Sequence, residues 1–186
     1  MNCDHPSSWN KDVRQKEPLK DRLVTERLTL KPYDDEDEHR MIELLTNETI
    51  KETYIIPDFA NREEAVAMFR KLKSYSLSEE HYELGIYLKG ELIGFVNDVS
   101  IEPGVIEIGY AIHPDFHNMG YASEMLSAVI KDLFKKGFFT IVAGAFEHNG
   151  ASFRVMEKCG MKPNGKEKII AYRNRSQRCV YYEISR

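Results

Sequence analysis

The sequence predicts a mixed α/β (α+β) domain around one central, mostly antiparallel sheet, and three observations carry that prediction. Period-2 and helical apolar patterns alternate as strand, two helices, three strands, helix, strand, helix, two strands, giving about seven strands and about four helices. A β-rich run, GVIEIGYAIHP, leads through a Gly-containing loop into a long amphipathic helix. Two pairs of strands are joined by short polar turns, the mark of hairpins.

Residues 1–22 are polar, carry Pro6, Pro18 and a lone Trp9, and show no period. They are expected to form a flexible N-terminal extension to a domain at 23–186. From Leu23, LVTERLTLKPY sets Leu28 and Leu30 against Arg27 and Thr29 and ends at Pro32, a first strand. The acidic run Asp34 to Glu38 stands where a helix dipole favours negative charge, and Met41, Leu44 and Leu45 form the stripe of the helix that follows. The same acids could instead form a rim that attracts an amine. Thr49 to Phe59, aromatic and interrupted by Pro57, reads as a loop or broken helix and is the candidate substrate wall.

Asn61-Arg62-Glu63-Glu64 has capping-box form, and Ala65, Met68, Phe69, Leu72 and Tyr75 mark a second helix. Tyr82, Leu84, Ile86 and Leu88 alternate, Lys89-Gly90 turns the chain, and ELIGFVNDVSI returns before VIEIGYAIHP. In the long helix Ala122, Met125, Leu126, Val129, Ile130, Leu133 and Phe134 share one face. Glu124 lies in its first turn, Lys135 and Lys136 in its last, and Gly137 suits its C-terminal cap. FFTIVAGAF is nearly continuous in apolar residues and is expected to be buried on both faces. Asn149 opens a last helix with Val155, Met156 and Cys159 on one side, and two strands close the chain.

At 186 residues the chain suffices for one domain that buries roughly 70% of its unfolded surface. A net charge of −4 argues against broad nucleic-acid binding. No run approaches a membrane span, and the first residues lack the apolar core of a signal peptide, so a cytoplasmic protein without a membrane partner is expected. Cys3, Cys159 and Cys179 form no CxxC pair and the histidines show no ligand spacing, so neither a disulfide framework nor a metal site is indicated. The expected assembly, monomer or homodimer, is left open.

Between strand and long helix lies His117-Asn118-Met119-Gly120-Tyr121-Ala122. Such a loop aims consecutive backbone N–H groups from the positive end of a helix dipole, which suits a phosphate or pyrophosphate. Gly120, lacking a Cβ, lets an anion approach the backbone. No Lys-Ser/Thr follows it, which argues against a P-loop.

IGYAIHPDFHNMGYASEML, HNGASFRVMEKCGM and the earlier hairpin YLKGELIGF together resemble the GNAT superfamily of N-acetyltransferases. The similarity is closest to the RimJ/RimL-like branch, which acetylates protein N-termini and various small amines, and it runs from about Leu23 to the C-terminus. It implies the GNAT fold, acetyl-CoA as co-substrate and an amine acceptor. In that family a Gln/Arg-x-x-Gly-x-Gly/Ala loop holds the pyrophosphate through backbone N–H groups. Carried over, it falls on His117, Asn118, Met119, Gly120, Tyr121 and Ala122, with His117 in place of the usual Gln or Arg. Asn149 and Ser152 match an Asn-x-x-Ser pair whose Asn contacts the pantetheine or an ordered water and whose hydroxyl lies near the thioester sulfur. The residues alone make Asn149 a helix N-cap and Ser152 a first-turn residue; the resemblance adds Ser152 as general acid.

Amide formation needs a neutral amine, so a base must remove its proton. Strand parity puts Ile106, Ile108, Tyr110 and Ile112 on one face and Glu107, Gly109 and Ala111 on the other, unless a family-typical bulge near Gly109 breaks it. Glu107 is the candidate base, since a charge in an apolar strand must face water, a partner or a cleft. A salt bridge to a neighbouring strand is its structural alternative, and His113 or a water chain the alternative base. A backbone N–H near Ala111 or Ile112 is expected to meet the oxyanion. Cys159 reads as a buried packing thiol, which implies direct transfer in a ternary complex. Tyr172, Tyr181 or Tyr182 could supply a hydroxyl instead of Ser152. A non-catalytic CoA-binding regulatory module of the same fold is the competing reading.

Overall fold

The alternating runs assemble into one eight-stranded sheet in the order β1-β2-β3-β4-β5-β6-β8-β7 in the computed structural model, which describes residues 22–186. The extension expected over 1–22 lies outside the described residues except for Arg22. The strands are β1 (Leu23–Val24), β2 (Leu28–Lys31), β3 (Glu83–Leu88), β4 (Glu91–Glu102), β5 (Val105–Ile112), β6 (Thr140–Phe146), β7 (Lys162–Tyr172) and β8 (Arg175–Ser185). The helices are α1 (Glu38–Thr46), α2 (Glu48–Lys51), α3 (Arg62–Leu77), α4 (Tyr121–Lys135) and α5 (Gly150–Lys158).

The first strand splits because the Thr25 side chain turns it. Thr25 Oγ1 accepts from Leu28 N at 2.9 Å, and Leu23 then pairs antiparallel with Leu30. Inside the expected broken helix, Asn47 Oδ1 caps the single turn of α2 by accepting from Ile50 N at 3.2 Å. Asn61 caps α3 in the same way, accepting from Glu64 N at 3.0 Å. The β3–β4 and β7–β8 hairpins turn on left-handed pairs, Lys89-Gly90 and Arg173-Asn174, as two-residue turns that match strand twist require.

The α4 stripe of Met125, Leu126, Val129, Ile130 and Leu133 is buried against Ile106, Ile108 and Ile141 on one face of the sheet, with α5 beside it. The other face carries α1 to α3 over Tyr33, Tyr87, Phe95 and Ala111. That second layer takes no core residue from β6, β7 or β8. β6 is therefore covered unevenly: Ile141, Ala143 and Ala145 are buried on the α4 face, whereas on the other face Val142 is half-buried and Gly144 exposed, and only Phe146 at the strand end is buried, stacked on Tyr172, against the expectation of burial on both faces throughout. No helix among the described residues is long and apolar enough to cross a membrane.

β5 and β6 pair in parallel from Val105↔Thr140 to Ile108↔Ala143 and then diverge. Beyond that point β5 continues against β4 and β6 against β8, so the two central strands fork. The β4–β5 pairing shifts between Asp98 and Ser100, at β4, and runs unbroken from Ile108 to Ile112. The alternation of β5 thus survives past Gly109.

Candidate active site

A cavity of about 460 Å³ opens at this fork. Its walls are the ends of β5 and β6, the loop and first turn of α4, the first turns of α5, and Thr49 to Tyr54 from α2 and the turn after it. Ala111, Ile112, His117, Asn118, Gly120, Tyr121, Ala122, Asn149 and Ser152 all line it. Met119 and Glu107 do not. Met119 is 52% exposed, and its carbonyl accepts from Arg27 Nη1 at 2.9 Å on the outer side of the loop.

The loop is built to leave donors open. His117 Nε2 donates to the Ile112 carbonyl at 2.7 Å and folds the loop back on the end of β5. Asn118 and Gly120 both take left-handed backbone, φ 61° and 82°, and Gly120 is the N-cap of α4 with no side-chain cap. Among the described residues no acceptor meets the N–H groups of Tyr121, Ala122 and Ser123. Uncapped N–H groups at a helix start, beside a residue without Cβ, form an anion cradle. Arg154 and Lys158 of α5 also line the cavity and add positive charge.

A clamp that the sequence reading missed holds this loop from behind. Glu124 Oε1 accepts from Thr25 Oγ1 at 2.5 Å and from Arg27 N at 2.8 Å, and its Oε2 accepts from Arg27 Nε at 2.7 Å. The Arg27 guanidinium also stacks 4.5 Å from the centre of the Tyr121 ring. A charged residue between Leu23 and Leu28 in a strand pattern was the available signal. Burial pushes the Glu124 pKa up, but the bonds from Thr25 and Arg27 outweigh it and hold the carboxyl below its usual value of 4.5. A depressed carboxyl contributes stability above its unfolded pKa and loses it as pH falls through the folded one. Acid unfolding followed by circular dichroism should therefore show a destabilisation below pH 4.5 that Glu124→Gln lacks.

The two faces of the fork differ. On the α4/α5 face, Ser152 Oγ accepts from Asn149 Nδ2 at 3.0 Å while Asn149 Oδ1 accepts from Ser152 N at 3.1 Å. Tyr110 lines the cavity on the same face, and its hydroxyl is buried with no hydrogen-bond partner among the described residues. On the α1–α3 face, Tyr54 lies over Gly109, where a Cβ would sit 2.6 Å from the tyrosine Oη. Tyr54 donates to Asn97 Oδ1 at 2.5 Å. The Thr49 to Phe59 segment expected as the substrate wall contributes Tyr54 and the exposed Glu52 to the cavity. The acidic run from Asp34 to Glu38 lies elsewhere, pairing with Lys31, Lys73 and Arg62, so it forms no rim here.

Glu107 shares the Tyr54 face, one residue before the last β5–β6 pair and two before Gly109. Two strand residues span about 6.7 Å. No salt bridge holds its carboxylate among the described residues; burial raises its pKa, and the charge of Lys168 on β7 opposes that shift. His113 is only 5% exposed, lies 3.5 Å from both Glu43 and Asp115, and is absent from the cavity. Tyr172 bonds the Ile56 carbonyl at 2.9 Å and Tyr182 bonds Glu157 at 3.0 Å. Tyr181 sits with Cys179 and Glu107, its pKa pushed up to about 12 by burial. Cys159 is half-buried rather than buried, in contact with Ser127 Oγ and the Ser123 carbonyl, and burial raises its pKa, which keeps it a thiol. No cluster of metal-ligating residues occurs among the described residues.

The forked parallel pair, with an uncapped helix start at its mouth, brings the loop and Asn-x-x-Ser motifs to one cavity. The family model described as an acetyltransferase (GNAT) domain matches residues 27–162. The chain belongs to the GNAT acetyltransferase family. An uncharacterised N-acetyltransferase of Bacillus subtilis, YoaA, is 28% identical over 157 residues, covering 82% of this chain and 89% of that protein. A GNAT acetyltransferase structure from Bacillus anthracis superposes with a TM-score of 0.76 at 26% identity, covering 88% of this chain and 98% of the other. The ribosomal L7/L12 α-N-protein acetyltransferase RimL, in complex with coenzyme A, shares the fold with a TM-score of 0.76 at 18% identity, covering 89% and 98%. The protein is thus a GNAT N-acetyltransferase, and the eight-stranded sheet with five α-helices among its described residues has the family fold.

Proposed function

We propose that the protein transfers the acetyl group of acetyl-CoA to a primary amine, a protein N-terminus or a small molecule, by direct transfer in a ternary complex in the cytoplasm. The observation that carries this reading is the fork, which has an anion cradle at its mouth and differently equipped faces. The open N–H groups, the missing Cβ of Gly120 and the unpartnered Tyr110 hydroxyl all fit acetyl-CoA, which when bound supplies an activated thioester.

The N–H groups of Tyr121, Ala122 and Ser123, with Asn118 and His117 beside them, hold the pyrophosphate. Asn149 contacts the pantetheine and fixes the Ser152 rotamer. Because His113 N donates to Ile93 O on β4, strand parity turns the Ala111 N–H toward β4 as well and the Ile112 N–H toward the open side of the fork. Of the two expected donors, Ile112 N–H therefore serves the carbonyl oxygen. Glu107, too far along β5 for direct contact, takes the amine proton through water, and its raised pKa brings it nearer the working pH of a general base. Ser152 donates to the leaving sulfur from the opposite face. No acyl-cysteine is needed, since Cys159 lies outside the cavity.

A panel of N-terminal peptides, polyamines, aminoglycosides and amino acids, read by CoA thiol release, tests the reading. Release that depends on one class of amine is the expected result. Thermal stabilisation by acetyl-CoA without amine-dependent release from any class would instead make the protein a CoA-binding regulatory module.

A further inference from the structure

We propose that Tyr110 is a positioning residue for Ser152, its hydroxyl donating into the serine oxygen so that the Ser152 O–H is left to point at the sulfur of bound coenzyme A. This rests on the reading of Ser152 given above. Tyr110 sits on the α4/α5 face of β5, its ring packed against the main core and its side chain at the cavity wall with Ser152. Its hydroxyl is the one buried side-chain polar atom without a hydrogen bond among the described residues. Buried hydroxyls are almost always paired, so this one calls for a partner within reach at the cavity wall.

The bonding capacity of Ser152 identifies that partner. A serine oxygen accepts two hydrogen bonds and donates one. Asn149 Nδ2 fills one acceptor position at 3.0 Å, and the Asn149 Oδ1 contact with Ser152 N at 3.1 Å fixes where the side chain stands. A Tyr110 donation fills the second acceptor position, and both donors then polarise the serine O–H toward the leaving group. Ser152 already lies near enough to act on the ionisation of Tyr110, while burial holds that phenol well above its usual pKa and keeps it a donor. No proton leaves Tyr110: its hydrogen bond sets the direction of the serine hydrogen. The competing hydroxyls of Tyr172 and Tyr182 are bonded to Ile56 and Glu157, which leaves the position to Tyr110.

The test compares coenzyme A with desulfo-coenzyme A, by calorimetry at pH 9, where a thiol of ordinary pKa, about 8.5, is mostly ionised. The native protein should bind coenzyme A on the order of tenfold more tightly than the desulfo analogue, as a charge-assisted hydrogen bond to the thiolate implies. Tyr110→Phe, which keeps the ring and its packing, should remove most of that preference, Ser152→Ala should remove all of it, and the double variant should lose no more than Ser152→Ala. Affinity for the desulfo analogue should stay unchanged throughout. With an accepted amine, Tyr110→Phe should lower kcat and leave the Michaelis constant for acetyl-CoA unaltered. The proposal is overturned if the native protein shows no preference, if Tyr110→Phe keeps it, or if Tyr110→Phe weakens the desulfo analogue equally, which would put the hydroxyl on the pantetheine arm. Retention of the preference in Ser152→Ala with loss in Tyr110→Phe overturns both this proposal and the reading of Ser152, whereas failure to bind either compound sinks the coenzyme site itself.

Discussion

Gly120→Glu should raise the Michaelis constant for acetyl-CoA by on the order of 100-fold, with the melting temperature close to native. Gly120 holds φ 82° at the N-cap of α4, a conformation that costs an L-residue about 1–2 kcal/mol. The loop relieves that strain by rotating away from the geometry that aims its N–H groups. The new carboxylate also faces the diphosphate, and like charges 4 Å apart near a protein surface repel by about 4 kcal/mol. Part of this is offset, because a Cβ at 120 would lie 3.4 Å from Arg27 Nη2 and the carboxylate can draw that guanidinium from Glu124. What remains is of the order of the roughly 2.8 kcal/mol that a hundredfold change represents. Gly120→Ala separates the two causes, since it keeps the strain without the charge and should cost only about tenfold. An unchanged constant in Gly120→Glu, measured at saturating amine, would remove the loop from the donor site.

Glu107→Gln should lower kcat by on the order of 100-fold or more, the usual contribution of a positioned general base, and should raise the melting temperature at neutral pH. The two effects share one cause. Burial raises the Glu107 pKa above the ordinary 4.5, only partly opposed by Lys168, so the ionised carboxylate is held at a cost in the folded state. The folded pKa lies above the unfolded one. The penalty is therefore absent at low pH, grows as pH rises past the unfolded value, and is complete above the folded value. Gln removes the charge and with it both penalty and base. In the native enzyme the acid limb of kcat/KM should titrate above the ordinary carboxylate range, and Lys168→Met should move it to still higher pH. A Glu107→Gln enzyme with native turnover would return the base role to other groups.

Both effects depend on parts of the molecule that differ in how far they can be read from the chain. The strand that carries Glu107, the helix stripe from Ala122 to Phe134 and the caps at Asn61 and Asn149 are local patterns, each set by residues within one or two turns of one another. So are the motif positions: every expected cofactor-binding residue except Met119 lines one cavity. Met119 escapes because Arg27, 92 positions away in sequence, draws its carbonyl to the outside of the loop. Tyr54 over Gly109, the Arg27–Glu124 clamp and the empty bonding position of Tyr110 are all long-range juxtapositions of the same kind.

The expectation of burial on both faces for FFTIVAGAF holds at Phe146 but not at Val142 or Gly144, for a related reason. A continuous apolar run reports that a strand is central, but not how far each helical layer extends across the sheet. Here the α1–α3 layer stops short of β6. The amino-acid sequence by itself determined the element order, the hairpins, the amphipathic faces and the anion-binding loop, because periodicity and capping act between near neighbours along the chain. Only the tertiary structure decided that β5 and β6 part after Ile108 and Ala143, that Glu107 and Ser152 come to opposite faces of that fork, and that Tyr110 stands beside the serine. Those are properties of register and layer packing, which arise when segments distant in sequence compete for the same surface.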